Sequence, residues 1–355
     1  YKEAIRQLDQ WTVEFPSETH AEYAGNYRIQ LAFVLQIVGK AAEANRVADE
    51  AIAIQRKLAA SGKPMPRRWL AWHLGNQALI RWRTGRVEDA ASTWREAVEI
   101  VERLFADPSR TGAFPYWFES TPAQLTSRHA SFLEHTGQFK EAEAAYVKAV
   151  RLYRSLAEAA PPGEWYLGDD SKAVYGYLRA RDDWHNSLIQ LTWFHVRRGN
   201  AEQAASCCAE ARDVYEKYVA EWPMDPAGRN HLAWFLVTCP VETLRDSARA
   251  VRLAQSAVIR GERSSFVGTL GAAQYRAGDF RAAVANLDRA TRLQDERLGT
   301  GDQLFRAMAH WRVGNTDAAL RYYDDAVRGE EWPNDGYDSG LRMLREEAAA
   351  VLGLK

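Results

Sequence analysis

A glycine recurs along this chain of 355 residues, always with one alanine five residues later and another seven beyond that. The glycines are Gly39, Gly85, Gly137, Gly199, Gly278 and Gly314. Their alanines are Ala44 and Ala51, Ala90 and Ala97, Ala142 and Ala149, Ala204 and Ala211, Ala283 and Ala290, and Ala319 and Ala326. Each glycine follows an apolar run of helical period and precedes another. A glycine just past a helix end can take the left-handed conformation that stops the helix. Two alanines seven apart lie on one helix face, two turns along. Between them stands a mostly larger residue: Ala48, Trp94, Tyr146, Cys208, Leu287 or Tyr323. The small residues let a facing helix come close and the large one fills the gap that remains. The spacing predicts a chain built from helix pairs. A bulky intruder such as Ala149→Leu should overpack its pair by roughly 1–3 kcal/mol.

This pattern resembles the tetratricopeptide repeat (TPR), whose helix pairs recur about every 34 residues. The family's small residue in the first helix is matched by Ala32, Ala78, Ala130, Gly271 and Ala307, with Thr192 a modest departure. At the large apolar position just before it, Leu31, Leu191 and Leu270 fit, whereas Gln77, His129 and Arg306 do not. A seventh copy is disguised. Asn230–Trp234 opens a first helix, Ala250, Ala254 and Ala257 carry the second, and Cys239–Asp246 replaces the glycine turn. That variant resembles arrays in large bacterial, planctomycete-type multidomain proteins, often attached to serine/threonine kinases.

The fold expected is therefore all-α: a right-handed superhelical solenoid of TPR-like helix-turn-helix repeats. A half repeat over 1–16 leads into repeats at about 21–60, 68–104, 124–156, 184–222, 228–260, 264–297 and 301–329. Tyr337, Leu341, Leu344, Ala348 and Val351 share a helical face, so 337–353 is expected to be a closing helix over the last repeat. Lys2-Glu3-Ala4 matches Lys140-Glu141-Ala142, so the chain is expected to start within a repeat of something longer. Extra residues rich in Pro, Gly and aromatics interrupt the spacing at about 105–123 and 157–183. They read either as longer second helices with loops packed on the array or as aromatic walls of a ligand groove.

Composition excludes several classes. A net charge of −1 gives no general field for nucleic acid or an anionic membrane. No apolar run approaches the length of a bilayer span, and the start has no signal-peptide pattern. The 3 Cys form neither a disulfide framework nor a zinc signature, which fits reduced thiols in the cytoplasm. Cys208 falls at the packing position between Ala204 and Ala211 and reads as a core thiol. None of the 8 His belongs to an H-E-x-x-H motif, and no phosphate-cradling loop or kinase signature occurs. Of the acidic pairs Asp169-Asp170, Asp182-Asp183 and Asp324-Asp325, which could bind a cation, Asp324-Asp325 reads as a solvated face and Asp169-Asp170 as turn or cap residues. No catalytic residue, metal site or cofactor is expected.

One recurring feature points to binding. Two residues before the turn glycine stand Arg83, Arg197, Arg276 and Arg312, with His135 in a fifth copy. One residue earlier come Trp82, Tyr275 and Trp311, and Trp193 stands a turn back in its copy. The resemblance implies that this position faces a concave groove. A guanidinium offers a planar fork to carboxylate or phosphate, and aromatics supply area. The alternative is that these cations meet the carbonyls at a helix end. Exposed ion pairs contribute only about 0.2–1 kcal/mol each, so aromatic pockets would have to carry most of any micromolar affinity. The function expected is a non-catalytic interaction scaffold or sensor arm. Its partner would be a protein or peptide, acidic in character, and neither nucleic acid nor membrane. The alternative is a regulatory array packing on an attached catalytic domain such as a serine/threonine kinase.

Overall fold

The protein is described by a computed structural model covering residues 2–14, 17–107, 116–159, 171–293, 299–328 and 339–354. These residues are helical with no strand among them. Two compact units emerge, Tyr1–Ala180 and Arg181–Lys355, with the division falling inside one helix.

The first unit begins with α1 (Lys2–Glu14). Three helix pairs follow: α2 (Glu18–Ile37) with α3 (Ala41–Ala59), α4 (Pro64–Arg83) with α5 (Val87–Ala106), and α7 (Thr121–His135) with α8 (Phe139–Ala159). The short α6 (Tyr116–Glu119) leads into α7. Helix α9 (Ser171–Arg197) contains the division. The second unit continues with α10 (Ala201–Glu221). Its next pairs are α11 (Pro226–Thr238) with α12 (Ser247–Arg260), α13 (Ser264–Arg276) with α14 (Phe280–Leu293), and α15 (Thr300–Arg312) with α16 (Thr316–Arg328). Helix α17 (Ser339–Leu352) comes last.

Helices α4 and α7 in one unit, and α13 and α15 in the other, each pack on the second helix before them and also on the first helix before that. The first helices thus form a layer of their own: α2, α4 and α7 in one unit, α11, α13 and α15 in the other. This is the packing of a TPR-like solenoid.

All six turn glycines have φ between 73° and 87°. At each, the glycine N–H and the next residue's N–H bond back to carbonyls of the helix just ended; Gly278 donates to Tyr275 (3.0 Å) and Asp279 to Gln274 (3.0 Å). The twelve alanines that follow them are all buried, as are Ala250, Ala254 and Ala257. Trp94, Tyr146, Cys208 and Leu287 are buried between them, and Tyr323 is half-buried. The first-helix residues Ala32, Ala78, Ala130, Thr192 and Ala307 are fully enclosed. Gly271 needs its size, since a Cβ there would lie 2.6 Å from Leu287 Cγ.

The polar departures from the apolar position face the same way as the leucines and are compensated. Gln77 donates to Asp49 (2.6 Å), Arg306 to Asp288 (2.8 Å), and His129 stacks on Trp94 at 5.8 Å. The variant turn contains a 3₁₀ turn, Glu242–Leu244, and Asp246 caps α12 by accepting from Arg249 N–H at 2.8 Å.

Of the first insertion, the described part places Phe118 in the core against Phe105 (5.4 Å) and leaves Trp117 exposed. Residues 108–115 and 160–170, with the pair Asp169-Asp170, lie outside the described residues, as does Tyr337.

Candidate functional site

First helices carry the candidate residues, with Trp193 and Arg197 on α9, and the two units differ in how they present them. In the first unit, α4 ends at Trp82 and Arg83, and α7 ends at His135. The Trp82 ring meets His135 at 5.1 Å and Phe132 at 5.7 Å, both edge to face. His135 is exposed and donates from Nδ1 to the Ser131 carbonyl (2.7 Å). Arg83 is half-buried beside them. Two copies of the recurring position thus lie together across α4 and α7.

Earlier on the same helices is a cluster that the sequence reading did not single out. Arg68, Trp72 and Asn76 are spaced four apart and share one face of α4. Arg68 is 4% exposed. It donates to Thr121 Oγ1 (2.8 Å) and to the Trp117 carbonyl (3.1 Å). Its guanidinium lies 4.3 Å from the Trp69 ring and 4.7 Å from that of Trp117. No carboxylate among the described residues pairs with it, and burial brings its pKa down to about 10. Arg128 on α7 donates to Asn76 (3.0 Å) and lies over Trp72 at 5.2 Å. His73, fully buried, bonds Asn26 at 2.7 Å; burial, then the Arg68 charge, push its pKa to about 3. The i, i+4 alternation of Arg and Trp in 68–72 was the readable signal.

In the second unit the recurring arginine of α13 is engaged. Arg276 holds Glu347 of α17 through both terminal nitrogens, with Nη2 donating to Oε2 at 2.7 Å. Its Nε donates to the Val237 carbonyl (3.2 Å), and its plane lies 5.0 Å from the Phe305 ring. Tyr275 is buried against Phe305 (5.7 Å) and Phe280 (5.4 Å), and Arg312 reaches over Phe280 at 5.8 Å. Arg197 and Arg312 are exposed and Trp311 is half-buried. Trp193 is 4% exposed, and its Nε1 has no acceptor among the described residues. Trp193, Pro240, Arg245, Arg276, Met343 and Glu347 border a cavity of about 400 Å³. Tertiary folding therefore joins Trp193 to Arg276, and Tyr275 to Arg312 through Phe280.

Elsewhere, Cys208 and Cys239 are buried hydrogen-bonding partners, which holds the Cys208 thiol protonated well above the usual range. No group of three or more His, Cys, Asp or Glu among the described residues could hold a metal ion. Nor is any described helix long and apolar enough to cross a membrane.

Residues 127–156, covering the later part of α7 and most of α8, match the tetratricopeptide repeat family. A protein named mitotic interactor and substrate of PLK1, from Pongo abelii, is 27% identical over 120 residues, which is 29% of this chain. This chain spans 17% of that protein's length. Among solved structures, the apo form of RapI is similar with a TM-score of 0.45 and 10% identity over 98% of this chain and 89% of that one. BtubC from P. vanneervenii gives 0.43 and 19% over 74% and 91%. A tetratricopeptide repeat protein from Parabacteroides merdae gives 0.40 and 12% over 90% and 98%.

Proposed function

We infer that the chain is a non-catalytic interaction scaffold whose first-helix layer receives a protein or peptide of acidic character. One observation carries the reading: Arg276 already grips a carboxylate presented on a helix, with an aromatic ring beneath the guanidinium. A bidentate guanidinium–carboxylate pair over a ring is a geometry that recognises acid side chains with direction as well as charge. In the first unit Trp82 and His135 offer the aromatic part of such a seat, with Arg83 beside them. The array acting in cis, on a catalytic domain of the same chain such as a serine/threonine kinase, is the second reading. What favours it is that the carboxylate now held comes from the chain itself.

The test is capture of acidic and of neutral peptides by the full chain and by its Trp82→Ala/His135→Ala variant at two salt concentrations. Acidic peptides should bind the parent chain, weaken with salt and be lost from the variant, while circular dichroism of the two stays alike. Equal capture by both chains, or by neither, overturns the reading.

A further inference from the structure

Helix α17 does not sit where a next repeat would. Each first helix α4, α7, α13 and α15 packs more extensively on the second helix before it than on the first helix before that. Helix α17 reverses the preference: it lies mainly on α15 and only lightly on α16. It is displaced from the end of the array onto the layer of first helices.

From there it reaches back along that layer. Its Leu341 comes close to the Gly301 backbone, where Trp234 also packs: a Cβ on Gly301 would lie 2.8 Å from Trp234 and 3.5 Å from Leu341. Glu347 reaches Arg276, one repeat earlier. Gly340 approaches Trp193 of α9, and a Cβ there would lie 3.5 Å from the Trp193 Nε1. Leu344, Ala348 and Leu352 are buried, so α17 presents an apolar stripe flanked by the carboxylate that meets Arg276.

The seat is imperfectly filled. The cavity of about 400 Å³ lies between α17 and its walls, lined on one side by Met343, Leu344 and Glu347 and on the other by Trp193, Pro240 and Arg276. An occupant that filled this half-open cleft would bury apolar surface that α17 leaves to solvent. The buried Trp193 Nε1 lacks an acceptor among the described residues, next to a position where α17 offers only glycine. A buried unsatisfied donor is costly, and an occupant supplying an oxygen there removes the cost.

We propose that the first-helix layer of the second unit is a receptor for an amphipathic helix, and that α17 is its occupant in cis, displaced by a partner helix. The partner carries a carboxylate opposite Arg276, apolar residues three and six positions before it, and a hydrogen-bond acceptor seven before it, at the place of Gly340. The proposal rests on the acid-binding reading above and adds the occupant, the conformation of the partner and the competition.

The probe is a fluorescent peptide of residues 339–354, titrated into the full chain and into its Glu347→Lys variant, which sets like charges against Arg276. The peptide should bind the variant roughly tenfold or more tightly than the parent chain, as expected for loss of a part-buried charge pair in the competitor. The peptide's Gly340→Ser form should bind tighter still, and adding Arg276→Glu to the variant chain should abolish binding. Equal affinity for parent and variant, or no binding to the variant, overturns the proposal. Hydrogen exchange on the parent chain gives a second answer that needs no substitution. Amides of α17 should exchange well before those of α13 and α15; exchange of all three together overturns the proposal. If these fail while the Trp82/His135-dependent capture holds, the cis occupant is lost and the scaffold reading stands. If both fail, both are lost.

Discussion

A Cβ on Gly268 of α13 would lie 2.9 Å from the Asp302 carboxyl on α15. Glycine here is what lets an acid side chain be enclosed between two first helices. Asp302 is buried, its Oδ1 has no donor among the described residues, and burial raises its pKa to about 7. The unfolded chain releases that proton near pH 3.9. Between the two values the folded form holds a proton that the unfolded form has lost. Stability therefore falls as pH rises from about 4 to about 7 and stays at the lower level above. Asp302→Asn should remove this slope and stabilise at pH 8 by up to about 4 kcal/mol, read from urea denaturation at pH 5 and pH 8.

A half-buried pair acts at both ends of the pH range. Asp182 accepts from His231 (3.1 Å) and from Tyr215 (3.1 Å). Burial alone would depress the His231 pKa, but the bond to Asp182 and its charge outweigh this and raise it. Burial alone would raise Asp182; its bonds and the neighbouring histidines lower it. His231 contributes stability below about pH 6.5 that is lost as pH rises through its raised value. Asp182 contributes above its unfolded value, and that share is lost in acid. An NMR titration of His231 should give a midpoint above 6.5 that drops on Asp182→Asn; an unchanged midpoint would remove the pair from the account.

Two glycines should fail for different reasons. Gly278 has φ of 84° and open space around it, so Gly278→Ala costs only the left-handed strain, about 1–2 kcal/mol. Gly271→Ala drives a methyl into Leu287 and should cost about 1–3 kcal/mol by overpacking. Adding Leu287→Ala in the same chain should relieve Gly271→Ala and leave Gly278→Ala unchanged, as read by a double-mutant cycle in urea.

Arg68 is predicted to be structural through its stem and its bonds rather than its charge. Arg68→Ala should destabilise the first unit by about 3–5 kcal/mol by leaving a void among the Trp rings and orphaning buried acceptors. Arg68→Met keeps most of the volume and should recover much of that loss. Thermal melts of the two variants would decide; equal loss from both would mean that the charge itself matters.

Much of the repeat was legible along the chain because its determinants are local. A left-handed glycine, an alanine pair two turns apart and a filler residue act within one helix pair, and each left its mark at fixed spacing. Gln77, His129 and Arg306 broke the apolar pattern yet kept its facing, since Asp49, Trp94 and Asp288 from neighbouring helices compensate them. The candidate site was legible only as a list. That Trp82 meets His135 depends on where α7 settles after an insertion, and that Arg276 meets Glu347 joins residues 71 apart.

By itself, then, the sequence determined that helix pairs would form, where they would turn and which small residues would let them close. Tertiary structure alone decided which arginine would be spent and on what. The position of α17 is set by an apolar stripe and one carboxylate finding a surface built by several distant helices, and no spacing along the chain encodes that surface. The same physics explains the Arg68 cluster: burial of a cation among tryptophans is a property of two packed helices, not of either one.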